Sequence, residues 1–444
     1  MPFSLPALLH RISPSNLSSL QLFQLIRYGT FLLIGIAFAK LELPLSQIGN
    51  FETFLLISGM VSFFWVSGII NTLLSIYPKK SEQEKKEVLF STFISLLVFS
   101  LVAGGLLFIF SENLLSFLDK TENGINRLVF IYLILNCPSF LIEYILFLKE
   151  KKKELVYYAI LSSLLTLAAV LLPVLFNYGI SYSFAGLTAL AGVKFIILLF
   201  LISRYGSFTF NAGMTTTTLR IAAPLLLSIF VSGSAEYIDG MLVKAKFDDV
   251  SFAVYRYGAK ELPLLLIIAN TFSMAMIPSI ASNLSQGMAE LKRKSTQLMH
   301  VFFPLTIVLM LCSGYIYKYA FSESFIYSAL IFNIYLLLSI PRLVFPQTVL
   351  TGMQRTKFLL LSSLLEITLN VSLSIWLAGK IGLSGIALGT LIAFCFDKIF
   401  LVSVNYFVYK IKPSAYLNGG VFCIYSIATC IAFPLSYFIL KDLG

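Results

Sequence analysis

Charge is scarce in this chain. Of 444 residues, 12% are Asp, Glu, Lys or Arg, and 58% are hydrophobic. A soluble domain carries roughly 25% charged and about 45–50% apolar residues. The deficit excludes an ordinary water-soluble fold of this length. Histidine is almost absent, with only His10 and His300, which excludes a histidine-built metal centre. The five cysteines (Cys137, Cys312, Cys395, Cys423, Cys430) lie inside apolar runs without metal-ligand spacing, and read as small apolar filler. No phosphate-cradling glycine loop is present, which argues against direct drive by nucleotide hydrolysis. The stretch Met1–Ser19 lacks an apolar core followed by a small-residue cleavage site, so no cleavable leader is expected.

What is present is apolar length. About 20 consecutive apolar residues cross a bilayer as a helix. Thirteen such spans are expected, at about 20–40, 47–77, 88–110, 127–148, 155–176, 183–203, 217–242, 250–280, 297–318, 325–352, 357–379, 382–409 and 417–440. The connecting loops carry their basic residues alternately. Lys79, Lys80, Lys85 and Lys86 follow span 2, and Lys149 with Lys151 to Lys153 follow span 4. Arg204 and Arg220, Lys292 to Lys294, Arg355 and Lys357, and Lys410 and Lys412 follow the later even spans. The other side holds only scattered lysines such as Lys40 and Lys120. Basic loops stay cytoplasmic, which places the N-terminus inside and the C-terminus outside. The net charge of +11 comes largely from these loops, so nucleic acid need not be invoked.

The fold class is therefore all-α: a polytopic membrane protein of 12–14 transmembrane helices. The expected organisation is a cytoplasmic segment at 1–19, an N-lobe of six spans at 20–204 and a linker at 205–216. A C-lobe of six spans at 217–412 and an additional helix at 413–444 complete it. A loose internal repeat supports a six-plus-six plan, with Gly186 opening one late helix of the first half and Gly382-Leu383-Ser384-Gly385 its counterpart in the second.

Ionisable residues inside spans are costly and mark cavities or partners. The basic set is Arg27, Arg127, Lys194, Arg256, Lys260, Arg342 and Lys398. The acidic set is Glu52, Glu143, Glu236, Asp239, Glu261, Glu366 and Asp397. Arg127 and Asp239 sit near span ends, where anchoring at the interface competes with function. Lys398 neighbours Asp397 but is expected on a different helix face. Arg256 and Lys260 are four apart and share a face if their helix is continuous. With Arg27 and Arg342 they form a candidate cationic wall, since Arg presents a planar fork to phosphate oxygens. The competing reading pairs each cation with a carboxylate, for example Arg256 with Glu52. The substrate-binding candidates are thus Arg27, Glu52, Arg256, Lys260 and Arg342. Glu143, Glu236, Asp239 and Glu366 are the candidates for coupling to a proton or sodium gradient. Structural pairing is an equal alternative for these. Prolines 138, 224, 263, 304, 341 and 346 lie within spans and are expected to kink them.

The middle of the chain carries a resemblance. Ala223-Pro224, Asp239, Tyr255 and Lys260, with Arg27, Gly49 and Phe51, Leu369-Asn370, Gly382 and Gly385, resemble the polysaccharide flippases. These are the Wzx-like members of the superfamily that also holds MATE drug exporters and lipid II flippases. The resemblance implies two six-helix lobes around a central cavity, and translocation of undecaprenyl-pyrophosphate-linked oligosaccharide for O-antigen or related surface polysaccharide. It implies membrane lipids, lipid-linked glycan and the glycan polymerase machinery as partners, in a bacterial inner membrane. No cofactor is expected beyond a coupling H+ or Na+. A MATE-type cation-coupled drug exporter is the alternative. An integral-membrane enzyme is the reading from a different class, and it lacks a convergent set of catalytic groups.

Overall fold

The computed structural model describes residues 16–109, 128–208, 211–355 and 357–443. Among these residues the regular structure is helical, with no strand. The first elements are α1 (Asn16–Lys40), α2 (Leu45–Ile76) and α3 (Glu82–Ile109). There follow α4 (Leu128–Ser139), α5 (Leu141–Leu148), α6 (Lys152–Leu175) and α7 (Ile180–Tyr205). The second half runs through α8 (Ala212–Lys246), α9 (Asp249–Gly258), α10 (Pro263–Ser282) and α11 (Leu284–Ile316). It continues with α12 (Ile326–Leu336), α13 (Ser339–Arg342), α14 (Pro346–Gly352), α15 (Lys357–Ile381), α16 (Leu383–Ser403) and α17 (Gly419–Leu443).

Twelve helical stretches among the described residues are long and apolar enough to cross a membrane. They coincide with the expected spans other than the seventh. That span falls on α8, a helix of 35 residues and therefore about 52 Å long. Large apolar side chains stand exposed along these helices, among them Ile196 (67%), Phe200 (62%) and Ile424 (69%). In water so much exposed apolar surface would drive aggregation; in a bilayer it faces lipid. The outer loop, with Arg127, lies outside the described residues.

The chain forms two compact units. Unit 1 comprises Met1–Glu42 and Thr53–Gly233, and unit 2 comprises Leu43–Glu52 and Ser234–Gly444. In unit 1, α1 packs on α6, α4 on both α3 and α7, and α6 on α7. In unit 2, α15 packs on α16, α11 on α17 and α10, and α9 on α12. The loop after α7 is short: helix resumes at Ala212, and the unit boundary falls within α8 at Gly233–Ser234.

Two glycines allow close helix pairs, one in each unit. A Cβ on Gly186 of α7 would stand 2.3 Å from the Ala169 carbonyl oxygen of α6. A Cβ on Gly385 of α16 would stand 2.4 Å from the Leu377 carbonyl oxygen of α15. Without lipid-phase hydrophobic drive, close backbone approach through small residues supplies van der Waals contact between helices.

Proline acts unevenly. Pro304 lies inside a continuous helix, and α8 runs unbroken through Pro224. Pro138 precedes a turn at Phe140 between α4 and α5. Pro263 does more than kink its span: Ala259–Leu262 are non-helical, and α10 restarts with Pro263 at its first turn. Proline has no N–H and disfavours helix in the residue before it. Lys260 therefore leaves the helix that carries Arg256, and the shared face expected of a continuous helix does not exist. The tenth span is likewise divided, with a turn at Leu337-Leu338, the four-residue α13, and a break at 343–345 before Pro346.

Candidate functional site

Three clusters of buried polar side chains stand out, one in unit 1 and two in unit 2. In unit 1, Arg27 of α1 donates through Nη1 to the two carboxylate oxygens of Glu143 on α5, at 3.5 and 3.3 Å. Glu143 is 3% exposed. The guanidinium also lies over the rings of Phe23 and Phe140, 5.5 and 5.3 Å from their centroids. This pair lines a cavity of about 100 Å³ whose far wall includes Lys194 of α7.

The first cluster of unit 2 surrounds the broken spans. Arg256 on α9 donates to Glu52 at 3.3 Å, the pairing the sequence had allowed for. Lys260, in the break, stands 5.1 Å over the ring of Tyr257. Arg342 on α13 meets Glu261 at 2.6 Å from each carboxylate oxygen, and its guanidinium lies 4.4 Å over Phe394. Glu261 belongs to the break in span 8 and Arg342 ends α13, so one ion pair ties the two discontinuities together. Discontinuous spans are where membrane transporters hold substrate and ions, because freed backbone and charged side chains need a polar surface to line.

Next to it Asp397 pairs with its neighbour Lys398 at 2.9 Å and accepts from Ser362. Adjacent residues on a helix do not face each other, but the long lysine stem bends back, so the two meet where the sequence separated them. Lys398 also donates to Gln347 at 3.4 Å. Glu366 is half-buried nearby and makes no hydrogen bond to a described residue.

The second cluster of unit 2 centres on Asp239 of α8, which is 4% exposed. Its Oδ2 accepts from Tyr335 of α12 at 2.9 Å, Tyr255 of α9 at 3.4 Å, and Thr390 of α16. Asn370 of α15 donates to Thr390 at 3.0 Å. Asp239 Oδ1 and Asn370 Oδ1 are both buried and take no hydrogen bond from a described residue. A buried carboxylate oxygen without a donor is costly, and a proton, a cation or a turned Asn370 amide would relieve it. No cluster of three His, Cys, Asp or Glu exists among the described residues, and a single carboxylate with neutral oxygens suits a monovalent cation better than a divalent metal.

The structure thus gives Arg27, Glu52, Arg256, Lys260, Arg342, Glu143, Asp239 and Glu366 definite surroundings. The side chain of Glu236 lies outside the described residues. The sequence reading assigned no site role to Tyr335 and Thr390, because hydroxyls in apolar spans carry no periodic signal.

Helical spans, broken helices in unit 2 and paired charges within the spans define a multi-pass membrane protein. Solved structures agree. The lipid II flippase MurJ in an inward closed conformation superposes with a TM-score of 0.65 at 18% identity, covering 95% of this chain and 98% of that one. An inward-facing MATE-family multidrug resistance transporter of the MOP superfamily gives 0.59 at 12% identity over 93% and 94%. A MOP superfamily transporter from Pyrococcus furiosus, whose description reports reversed binding-pocket polarity, gives 0.53 at 12% identity over 96% and 94%. At these identities the fold is what is shared. No curated protein matches by sequence. The family model of polysaccharide biosynthesis proteins matches residues 46–330, well over half of the chain. The chain belongs to that family.

Proposed function

We propose that this protein is a carrier that turns an undecaprenyl-pyrophosphate-linked oligosaccharide from the cytoplasmic to the outer leaflet of a bacterial inner membrane by alternating access. Membership of a polysaccharide biosynthesis family on a transporter fold carries the reading. A charged glycan headgroup cannot cross hydrocarbon unaided, and the cations set into the spans supply partners for it. Arg27 in unit 1 and Arg256, Lys260 and Arg342 in unit 2 are the groups we assign to it, with Glu52 holding Arg256 in place. The N-terminus is cytoplasmic on the loop-charge bias. The glycan polymerase machinery is the partner expected to receive the product.

Coupling to an ion gradient is assigned to Asp239. Its unpartnered Oδ1 beside Asn370 Oδ1 favours this carboxylate over Glu143, which is committed to Arg27. The ion is sodium or a proton.

The experiment is mass spectrometry of the lipid extract from a deletion strain beside its parent. Accumulation of an undecaprenyl-pyrophosphate oligosaccharide with loss of surface glycan is the expected result. An unchanged lipid pool with new sensitivity to cationic drugs would move the assignment to a MATE-type exporter.

A further inference from the structure

The unit 1 cavity holds more polar capacity than its own ion pair uses. Arg27 reaches Glu143 through one nitrogen only, at 3.3 Å or more, and its side chain is 41% exposed. Lys194 lines the same cavity and makes no hydrogen bond or ion pair with a described residue. Asn136, Tyr132 and Tyr158 line it as well, and their side-chain polar groups are likewise uncommitted among the described residues. Four uncommitted polar side chains and the free edge of the Arg27 guanidinium converge on one cavity, where an acceptor-rich guest would find several partners at once.

Charge and size narrow the guest. Two cations against one carboxylate leave a formal charge of one positive unit. A diphosphate brings at least two negative charges and would leave the cavity overcompensated, whereas a single carboxylate closes the balance. The volume of about 100 Å³ accommodates roughly seven to ten waters at about 10–15 Å³ apiece, which is the room of one sugar ring. Phe23 and Tyr158 stack with centroids 5.8 Å apart and rings 9° from parallel, a flat apolar border to that space. Tyrosine hydroxyls and an asparagine amide are the groups that pair with sugar hydroxyls.

We propose that the unit 1 cavity between Arg27 and Lys194 recognises the carboxylate of an acidic sugar in the headgroup that this protein carries. The inference rests on the translocation reading above and names part of its substrate. The incoming carboxylate bridges Lys194 and the guanidinium edge of Arg27 that Glu143 does not occupy. Glu143 keeps the guanidinium oriented and offsets its charge when the cavity is unoccupied.

The test uses the purified full chain in lipid nanodiscs and its thermal unfolding midpoint, with glucuronate, glucose and inorganic phosphate as separate probes. A free monosaccharide of this size binds with about millimolar affinity at an ordinary ligand efficiency, so probes run to tens of times that, on the order of 50 mM. Glucuronate is expected to raise the midpoint by about 2 °C or more at saturation, with glucose and phosphate inert. Lys194→Gln should abolish the shift, Lys194→Arg should keep it, and Lys153→Gln at the exposed start of α6 should leave it unchanged. If Lys194→Gln does not fold, the arginine variant and the probe series still decide. No shift with glucuronate, an equal shift with glucose, or survival of the shift in Lys194→Gln overturns the proposal. An equal shift with phosphate overturns it too, because the site is then a general oxyanion pocket. The lipid extract separates the two readings: an accumulated lipid-linked glycan without an acidic sugar leaves translocation standing and removes this inference.

Discussion

At the scale of single residues, the sharpest consequences come from groups whose partner is fixed. Arg342 and Glu261 are 19% and 25% exposed at their side chains, neither fully dry nor solvated. Removing one partner leaves the other charge stranded, which costs about 3–5 kcal/mol when fully buried and a fraction of that here, about 1–2 kcal/mol. Arg342→Ala should therefore lower the unfolding midpoint in detergent more than the double variant Arg342→Leu/Glu261→Leu does. Equal losses for single and double variants would mean the pair is not coupled. Asp239 makes a second residue-scale case. If the ion is sodium, titrating it at constant ionic strength should raise the parent's unfolding midpoint and not that of Asp239→Asn; a parent that does not respond assigns the proton. A variant that keeps the sodium response would place the cation elsewhere. These groups differ in how far the sequence revealed them. A charge in an apolar run is conspicuous, so Arg27, Arg256 and Asp239 were visible at once. Glu52 was legible as a partner for Arg256, but the groups around Asp239 come from four other helices between residues 255 and 390, and Tyr335 and Thr390 look like ordinary interior residues until the fold gathers them.

At the scale of elements, the apolar runs made the spans legible, and the prolines marked where spans would be disturbed. How each proline acts depends on the company it keeps. Pro304 is absorbed in a helix, while Pro263 ends one, because Gly258 just before the break comes close to α12: a Cβ there would lie 2.4 Å from the Ser328 carbonyl oxygen. Only the neighbouring element decides between the two outcomes, and no local pattern encodes it. Helix α9 begins with Asp248 as its N-cap, whose carboxylate accepts from Ser251 N–H at 2.8 Å. Its hydrogen bonds with Ser251 hold the carboxyl below the ordinary aspartate value of 3.8. A carboxyl so lowered favours the folded state where it is charged. The contribution is complete above about pH 4–5 and fades as pH falls through the lowered value. Asp248→Ala should cost about 1 kcal/mol at neutral pH, and that difference from the parent should vanish in unfolding curves taken near pH 3. Persistence of the full difference at low pH would assign it to something other than the charged cap. The α6–α7 pair offers a packing test. Gly186→Leu forces a side chain into the Ala169 carbonyl and should lower stability by about 1–3 kcal/mol, read as loss of the monodisperse peak on heating. Wild-type behaviour would show that the two backbones are free to part.

At the scale of the whole molecule, loop charge and span count combine into one topology. Among the described residues twelve helical stretches are long and apolar enough to cross, and α8 is long enough to be the thirteenth. An odd number of crossings puts the two termini on opposite faces. Alkaline phosphatase fused after Lys441 should be active, and a fusion in the Lys149–Lys153 loop should be inactive while fluorescent protein there glows. Activity at both positions would mean that one span does not cross. The two-lobe plan was legible only as a loose repeat. The glycines at 186 and 385 each permit a close helix pair, one in each unit.

The interruption at Ala259–Leu262 bears on how the nascent chain enters the membrane. Helix α9 has ten residues, about 15 Å, and with the break that follows it carries Asp249, Arg256, Lys260 and Glu261. Charged residues near a helix centre cost about 2.5–3.5 kcal/mol each during insertion, so this segment cannot partition into lipid alone. Asp249 pairs locally with Lys244, but Arg256 and Glu261 find their mates on residues made at very different times: Glu52 well before, and Arg342 some eighty residues after. Glu261 therefore lacks its cation until α13 has been synthesised, and the segment is expected to insert stably only then. Pulse-labelled truncations ending before and after Arg342 should differ in whether this segment resists alkaline extraction, and equal resistance would mean that it enters without α13.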